Sequence, residues 1–517
     1  MPPKPTWRTR WIAAPPATFS PAPALSFFAN TRRLSCGAAV LLATQCSSAP
    51  TPPGLPPARG AAAKTQAANP VDSLVRALLD TTAAGSARRA DAQLGLQAGA
   101  DVRAFYGPAP APAWLAADSL GSDAPAALAL LAGAPTHGLN AADYGRARLG
   151  ALRDSLAQPG LPARRACQLA RFDVYLTDAV LRFMRDLGRG RLRRYAVSVR
   201  ERAAGPAGQP AALLRAGLVN DAVPAAMLAG QPANREYRQL QQALAQWLAL
   251  PNAPDSAAQH QARYEQVAAN LERWRWDALP PTPDYVLINI AAYELLVVAH
   301  DSVLRRYRVV VGKPTTPTPT LSSAIDRFTL APDWHVPRSI ATREMLPRLK
   351  RNAGYLAQGN YALYNGQDHL IDPRSVDWAR VTVRNFPYTI RQSACCDNAL
   401  GNIVFRFANP YAVYLHDTPE RQVFAQPYRA LSHGCIRLES PFELAAYLLR
   451  RGGQPVQLPS EAACARQPRP REVQLRRPMP LFVRYATCTA EGGHLRFLAD
   501  PYRLDEVIRR GLFGPKS

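Results

Sequence analysis

Lysine is scarce in this chain, although the chain as a whole is strongly basic. Lys occurs only at positions 4, 64, 313, 350 and 516, whereas Lys and Arg together number 62 against 38 Asp and Glu, a formal net charge of +24. Such a surface favours anionic partners, whether nucleic acid, anionic lipid or an anionic polymer. Nucleic acid is not expected, because the Arg residues are scattered and no basic patch interleaved with aromatic residues is visible.

Cysteines with metal-binding spacing are also lacking. The chain has eight Cys but no C-x-x-C pair, so a structural zinc site is not expected. The sequence indicates no other metal site and no site for an organic cofactor. Adjacent Cys395 and Cys396 cannot readily bridge to each other, and a disulfide from either to another Cys would need an oxidising compartment.

The N-terminal region has no apolar run long enough for a mature membrane-spanning helix. Residues 1–70 are rich in Pro and predict an unpacked leader. Arg32-Arg33 and a short apolar run up to Thr44 are typical of a secretory signal, which predicts export across the inner membrane to the periplasm. Cys46 stands where a lipoprotein signal places its acylated Cys, although Gln45 is a poor residue before it. Lipid attachment at Cys46, ordinary cleavage and an uncleaved membrane anchor therefore all remain open.

The hydrophobic pattern changes near residue 276. Apolar residues at helical spacing predict a helical scaffold domain over 71–275. From about residue 284, short runs rich in β-branched residues predict a mainly β domain over 276–517 that carries a helix or two. The expected fold class is thus α+β. The clearest helical stripe consists of Leu169, Phe172, Leu176, Val180 and Phe183.

A short segment in the β-rich region carries the residue types of thiol chemistry. Cys435 follows Ser432-His433-Gly434 directly, and His416 precedes it by nineteen residues. A nucleophilic Cys needs a base or a cation nearby, because a free thiol is mostly protonated at neutral pH. A Gly before the Cys lets the backbone approach a ligand, so that neighbouring N–H groups can point at a developing oxyanion. A papain-like protease is not expected, because there the Cys precedes its His.

This spacing resembles the YkuD-type catalytic domain of L,D-transpeptidases, whose signature is a His, about fifteen to eighteen residues, and then Ser/Thr-His-Gly-Cys. The resemblance implies that Cys435 is the nucleophile and His416 the general base. It gives His433 an auxiliary part in the same site. By the same resemblance, Ser432 and Gly434 shape the loop and the oxyanion pocket, and Arg437 orients the loop or the substrate.

The resemblance extends to the large, scaffold-bearing periplasmic members of the family (YcbB-like). It rests on Asn270–Trp276, Val309–Pro314, Asn398–Gly401 and His137–Asn140, and it covers about 71–512. In such enzymes a segment between strands, here about 335–392, forms a mobile lid over the substrate. Trp334, Tyr355 and Tyr361 would lie in or beside this lid, and Trp334 is a candidate for substrate contact.

The sequence departs from those relatives at two places. They usually carry a small peptidoglycan-binding domain between scaffold and catalytic domain, where this chain has only about a dozen residues, Pro251 to Ala262. The turn before Asp397 usually contains Pro-Gly, where this chain has Cys395-Cys396. Without a peptidoglycan-binding domain, binding of peptidoglycan would depend on the scaffold, the lid or the basic surface.

The implied reaction joins peptidoglycan stem peptides through a thioester on Cys435, giving 3→3 cross-links and a part in cell-wall synthesis and cell shape. The same chemistry implies acylation by carbapenems. Two alternatives use the same site, namely hydrolysis of the stem (L,D-carboxypeptidase) and coupling of peptidoglycan to a protein. A non-catalytic wall-binding scaffold is less expected, because both His416 and Cys435 are present. The oligomeric state is not indicated.

Overall fold

The computed structural model describes residues 70–514, apart from 83–84, 117–118, 193–209, 251–256, 278, 281, 395–396 and 467–468. The predicted leader with Cys46, and the Cys395-Cys396 pair, therefore lie outside the described residues. Within the described ranges, no helix combines the length and the apolar character needed to cross a membrane.

The first half of the described chain is mainly helical, which confirms the predicted helical scaffold region. A two-stranded hairpin, β1 (Leu115–Ala116) and β2 (Ser119–Leu120), interrupts the helices. The helices are α1 (Pro70–Leu79), α2 (Ala87–Leu94), α3 (Gly99–Tyr106), α4 (Asp123–Ala132), α5 (Arg146–Leu156), α6 (Pro162–Arg189), α7 (Pro210–Val219), α8 (Val223–Leu228), α9 (Arg235–Ala249) and α10 (Ala257–Trp276).

Helix α6 is the centre of the scaffold core. It begins with Pro162, whose fixed φ suits the first helical turn, and it stops at Gly190, which adopts φ 77°. All five residues of the predicted apolar stripe are at most 2% exposed. Helices α1, α3, α4, α5, α7 and α8 pack around this stripe, so that the scaffold has a hydrophobic core of its own.

Helix α10 joins the scaffold to the β-rich domain through buried polar contacts. The Asn270 amide donates to the Thr487 hydroxyl at 2.8 Å and accepts from the Thr487 N–H at 2.8 Å. Arg275 and Glu272 form an ion pair at 3.3 Å in which both side chains are fully buried. Removing one partner of such a pair leaves an uncompensated buried charge, which is strongly destabilising. The segment 270–276 is therefore part of the packing between scaffold and β-rich domain.

The β-rich domain is built on one large sheet. Its strands are β3 (Asp284–Asn289), β4 (Glu294–Ala299), β5 (Ser302–Gly312), β6 (Leu321–Leu330), β11 (Ile403–Phe407), β12 (Leu415–His416), β13 (Ala430–Ser432), β14 (Ile436–Leu438) and β15 (Arg471–Arg484), and a separate hairpin consists of β16 (Cys488–Glu491) and β17 (His494–Phe497). The strand order of the large sheet is β13-β5-β14-β12-β11-β6-β15-β3-β4, and an additional pairing of β4 with β5 closes it on itself.

The closed sheet surrounds a core that also takes in the apolar face of α14 (Pro441–Arg451). The other face of β3, β4 and β15 packs against α9 and α10. Two short helices, α15 (Glu461–Ala465) and α16 (Asp505–Phe513), complete this part of the chain. The fold is thus α+β, as predicted. Strand β12 is only two residues long, and Ala412 shortly before it adopts φ 54°, a left-handed conformation that interrupts an extended run.

Residues 334–392 form a small subdomain with its own sheet, ordered β7-β10-β8-β9, and its own apolar core. They include a π-helical turn, Ala341–Met345, between the short helices α11 and α12. Whether this subdomain moves as a lid stays a prediction. Its elements are β7 (Trp334–His335), α11 (Arg338–Ile340), α12 (Leu346–Leu349), α13 (Tyr355–Gln358), β8 (Tyr361–Tyr364), β9 (Leu370–Ile371) and β10 (Thr389–Gln392).

Candidate active site

Two neighbouring parallel strands bring the predicted base and nucleophile together. Strands β12 and β14 pair with His416 opposite Arg437, and one residue earlier the Ile436 N–H donates to the Tyr414 carbonyl at 3.0 Å. Successive side chains on a strand point to opposite faces. Tyr414 and His416 therefore share a face with Cys435 and Arg437, while the residues between them enter the domain core.

The turn before Cys435 depends on a glycine. Gly434 adopts φ 117°, a conformation that L-residues with a side chain rarely adopt. Its N–H donates to the Ser432 hydroxyl at 3.1 Å, and that hydroxyl donates to the Cys435 carbonyl at 2.5 Å. The Gly434 carbonyl accepts from the Thr318 hydroxyl at 2.9 Å. These bonds hold the loop at Ser432 and Gly434, and the Gly434 N–H is turned into the loop; the predicted oxyanion role of the two residues stays a prediction.

A second glycine and a tyrosine support this turn from behind. The Gly312 N–H donates to the Thr318 hydroxyl at 2.8 Å, and the Tyr502 hydroxyl donates to the Gly312 carbonyl at 2.6 Å. A Cβ at Gly312 would lie 2.1 Å from the Thr316 carbonyl oxygen and 3.0 Å from Gly434 Cα. No side chain fits there, so Gly312 permits the close approach of β5 to the loop.

His416 is held as a neutral imidazole. The ring is buried, and its Nδ1 lies 2.6 Å from the Asp417 carbonyl oxygen. A carbonyl can only accept, so Nδ1 carries the proton and Nε2 keeps a free lone pair. Burial, followed by the nearby Arg437 charge, lowers the pKa of His416 to about 3, although the hydrogen bond to Asp417 acts in the opposite direction. This is the protonation state that a general base requires.

Cys435 lies beside Tyr414. Burial raises the pKa of the Cys435 thiol, and the nearby main chain and hydroxyl of Tyr414 counteract this rise. Burial and the nearby Cys435 sulfur raise the pKa of Tyr414, whereas the Trp334 indole, which also lies near this hydroxyl, acts to lower it. Indole N–H can only donate, so Trp334 is placed to act on the hydroxyl as a donor.

Tyr414 was not among the residues that the sequence singled out. The signal was present, because a residue two positions before His416 on a strand must share its face. The ring of Tyr414 packs edge-on against His416, with centroids 5.7 Å apart. Burial raises the pKa of Tyr414 above its ordinary value, so that its hydroxyl stays protonated and available as a donor.

The other predicted site residues have partners around this centre. His433 is part-exposed, and its Nε2 lies 2.6 Å from the Glu344 carboxylate on the π-helical turn of the 334–392 subdomain. Arg437 pairs with Glu420 at 2.6 Å. Trp334 lies on β7 of the subdomain, next to Tyr361 with ring centroids 6.2 Å apart. Among the described residues, no group of three or more His, Cys, Asp or Glu is arranged to hold a metal ion.

Comparison with protein-family models gives two matches. Residues 283–458 match the L,D-transpeptidase catalytic domain, YkuD, and residues 100–244 match a scaffold domain. A protein of Haemophilus influenzae, whose own assignment as an L,D-transpeptidase is provisional, is 31% identical over 281 residues, 54% of this chain and 54% of that protein. The chain thus matches about half the length of this curated relative.

Solved structures of L,D-transpeptidases are also similar to part of the chain. One from Mycobacterium smegmatis is 16% identical, with 39% of this chain and 58% of that chain covered, at a TM-score of 0.18. L,D-transpeptidase 3 from Mycobacterium tuberculosis is 13% identical, with 39% and 61% covered, also at 0.18. Similarity at this level adds nothing to the assignment, which rests on the two domain matches.

Proposed function

Since the chain carries a YkuD-type L,D-transpeptidase catalytic domain preceded by a scaffold domain, we propose that it cross-links peptidoglycan by cysteine acyl-enzyme chemistry. Cys435 is the nucleophile and His416 the general base, and the product is a 3→3 cross-link between stem peptides. The observation that carries this proposal is the parallel pairing of β12 with β14, because its register puts a buried, neutral His416 on the same face as Cys435, the residue just before β14.

In the first step the Cys435 sulfur attacks the carbonyl between the third stem residue and the terminal D-Ala. The thiol proton passes to His416 Nε2, an S–C bond forms, and the C–N bond to D-Ala breaks. His416 then gives the proton to the departing amine. The Cys435 N–H makes no hydrogen bond to the described residues, and it is the main-chain donor proposed for the developing oxyanion.

In the second step the side-chain amine of a neighbouring stem attacks the thioester. His416 takes a proton from this amine and returns it to the sulfur as the S–C bond breaks. The new amide bond joins the two stems, and the thiol and imidazole return to their starting state. The two steps balance without a metal or an organic cofactor.

Resting thiol and imidazole are both neutral in this arrangement. A raised pKa for Cys435 and a lowered pKa for His416 disfavour a standing thiolate–imidazolium pair. Proton transfer must therefore accompany the attack on the carbonyl. The hydroxyl of Tyr414 reduces the cost of this transfer, because hydrogen bonds to an ionised sulfur are stronger than those to a neutral thiol.

Water or a protein lysine in place of the stem amine would turn the same thioester into a hydrolase or a protein-coupling intermediate. Stem peptides of the wall are the proposed partner in each case, and the proposed location is the periplasm. We also propose that the N-terminal region attaches the protein to a membrane. No observation favours either alternative acceptor over the stem amine.

The test has two arms. Purified protein is incubated with a carbapenem, since an acylating β-lactam uses the same carbonyl chemistry. The intact mass of the protein is then measured by mass spectrometry. A covalent adduct is expected with the parent and not with Cys435→Ala. Absence of an adduct in the parent, or its persistence in the Ala variant, refutes the assignment of the nucleophile.

The second arm uses muropeptides that carry tetrapeptide stems. Cross-linked dimers are expected as products, and they should disappear in both Cys435→Ala and His416→Ala. Trimmed monomers without dimers would replace the cross-linking proposal with hydrolysis. Transfer to an added protein lysine would point to the coupling alternative.

A further inference from the structure

An arginine without a partner lies on the face of the sheet that carries the candidate active site. Strands β11 and β12 are antiparallel, and their register pairs Val404 with His416. Two residues further along β11, Arg406 comes opposite Tyr414, and residues that are opposite each other share a face. The Arg406 side chain is half-buried. It makes no hydrogen bond and no ion pair to the described residues.

The position of Arg406 in the sheet makes this lack of an anion costly. On the other side of β11, Arg406 pairs directly with Arg327 of β6, and like charges directly opposite each other on a sheet are destabilising. Arg327 has carboxylates of its own, Asp326 at 3.1 Å and Glu472 at 3.4 Å. The guanidinium of Arg406 therefore keeps its full capacity to bind an anion from outside the protein.

Arg406 is within reach of the candidate nucleophile. Burial raises the pKa of Tyr414, and the charge of Arg406 acts in the opposite direction, so the guanidinium lies close enough to influence the hydroxyl beside Cys435. Neighbouring strands are about 4.8 Å apart. The backbones of Arg406 and Cys435, which lie on either side of β12, are therefore about 10 Å apart.

The proposed reaction places the leaving end of the stem on the same side of Cys435 as Arg406. His416 gives its proton to the amine of the departing D-Ala, so this amine must lie within hydrogen-bond reach of His416 and hence over β12. Strand β11 follows β12 in the same direction. The terminal carboxylate of D-Ala is separated from the amine by a single carbon, and the long Arg406 side chain covers the remaining distance.

We propose that Arg406 binds the terminal carboxylate of the donor stem and thereby selects stems that end at the residue to be released. A guanidinium binds a carboxylate through two parallel N–H···O bonds. A stem extended by one more residue has an uncharged amide at this place, which offers one oxygen instead of two. The inference rests on the proposed function and adds to it the group by which the donor is recognised.

Two tetrapeptides that differ only at the terminus test the proposal, one with a free carboxylate and one with a carboxamide. The full chain is incubated with each, and kcat/KM is measured from the release of D-Ala or D-alaninamide. The parent should prefer the carboxylate by about tenfold or more, because hydrogen bonds to charged groups are the stronger ones. In Arg406→Gln this preference should fall to about threefold or less, mainly through a higher KM for the carboxylate.

A matched pair of lysine substitutions separates the contact from the general charge of the surface. Arg406→Lys keeps the charge but not the planar fork, so its preference should lie between those of the parent and Arg406→Gln. Arg327→Lys makes the same change one strand away, at an arginine that already has partners, and it should keep the preference of the parent. Thermal unfolding checks that each variant is folded.

Equal kcat/KM for the two tetrapeptides in the parent, or an unchanged preference in Arg406→Gln, overturns the proposal. So does an equal loss of preference in Arg406→Lys and Arg327→Lys. Carbapenem acylation of the parent distinguishes the two levels of failure. An adduct on Cys435 together with any of these results refutes Arg406 alone, whereas neither an adduct nor release from either tetrapeptide refutes the proposed function as well.

Discussion

Replacing Tyr414 by Phe isolates the hydroxyl that contacts the candidate nucleophile. The substitution keeps the ring that packs against His416 at a centroid distance of 5.7 Å, and it leaves the main chain of residue 414 unchanged. What is lost is the side-chain donor that opposes the rise in the Cys435 pKa. The fold should therefore be preserved while the thiolate becomes harder to form.

The size of the effect follows from the kind of bond. A hydrogen bond to a charged group contributes about 1.5–3 kcal/mol. The Cys435 pKa should therefore rise further in Tyr414→Phe. Acylation that passes through a developing thiolate should slow by about tenfold to a hundredfold at neutral pH.

The assay is the second-order rate of acylation by a carbapenem, followed by loss of its absorbance between pH 6 and pH 9. The parent and Tyr414→Phe should differ most at low pH and approach each other as pH rises, because hydroxide then removes the thiol proton in both. Thermal unfolding provides the control for folding. Rates within about twofold of the parent across the whole range would refute the role given to this hydroxyl.

Three further predictions concern other residues of the site. Because the folded pKa of His416 lies near 3, below the ordinary value of 6.5, its contribution to stability is complete above pH 6.5 and is lost as pH falls towards 3. The loss of unfolding free energy between pH 7 and pH 5, measured by urea titration, should therefore be smaller in His416→Asn than in the parent. Glu344→Gln removes the charge that pairs with His433, and hydrogen exchange in 334–392 should speed up without a change in overall unfolding. Gly434→Ala forces a side chain into φ 117°, which should cost about 1–3 kcal/mol and lower both melting temperature and acylation rate.

The architecture was largely predictable because it follows from local patterns. The stripe on α6 was predicted from the helical period, and all of its members are buried. The short β-branched runs after residue 284 predicted a mainly β domain, and the strands of the large sheet lie there. These elements carry strong periodicity, and their type depends little on the rest of the chain.

The candidate site was predictable in its residue types but not in its contacts. His416 and Cys435 were found from their spacing, yet the parallel pairing of β12 with β14 that joins them is a long-range register, which no local pattern determines. Tyr414 was missed for the same reason, because its role depends on its position opposite Cys435 in the pairing of β12 with β14. The contact of His433 with Glu344 depends on a π-helical turn, and such turns have no hydrophobic period that reveals them.

The connection between Trp334 and Tyr414 gives the 334–392 subdomain a direct influence on the thiol. Trp334 belongs to this subdomain, and its indole and the Cys435 sulfur act on the pKa of the Tyr414 hydroxyl in opposite directions. Chains of hydrogen bonds polarise one another by about 10–30% per bond, so an indole N–H that donates to this hydroxyl would make it a better donor to the thiolate.

Trp334→Phe should therefore slow acylation by a few-fold, less than Tyr414→Phe does, since it weakens a donor without removing it. The double variant separates this relay from simple packing. If Trp334 acts through the hydroxyl, adding Trp334→Phe to Tyr414→Phe should cause little further loss in acylation rate, because the hydroxyl is already absent. Independent losses that multiply in the double variant would show that Trp334 acts on the substrate or the fold by a separate route.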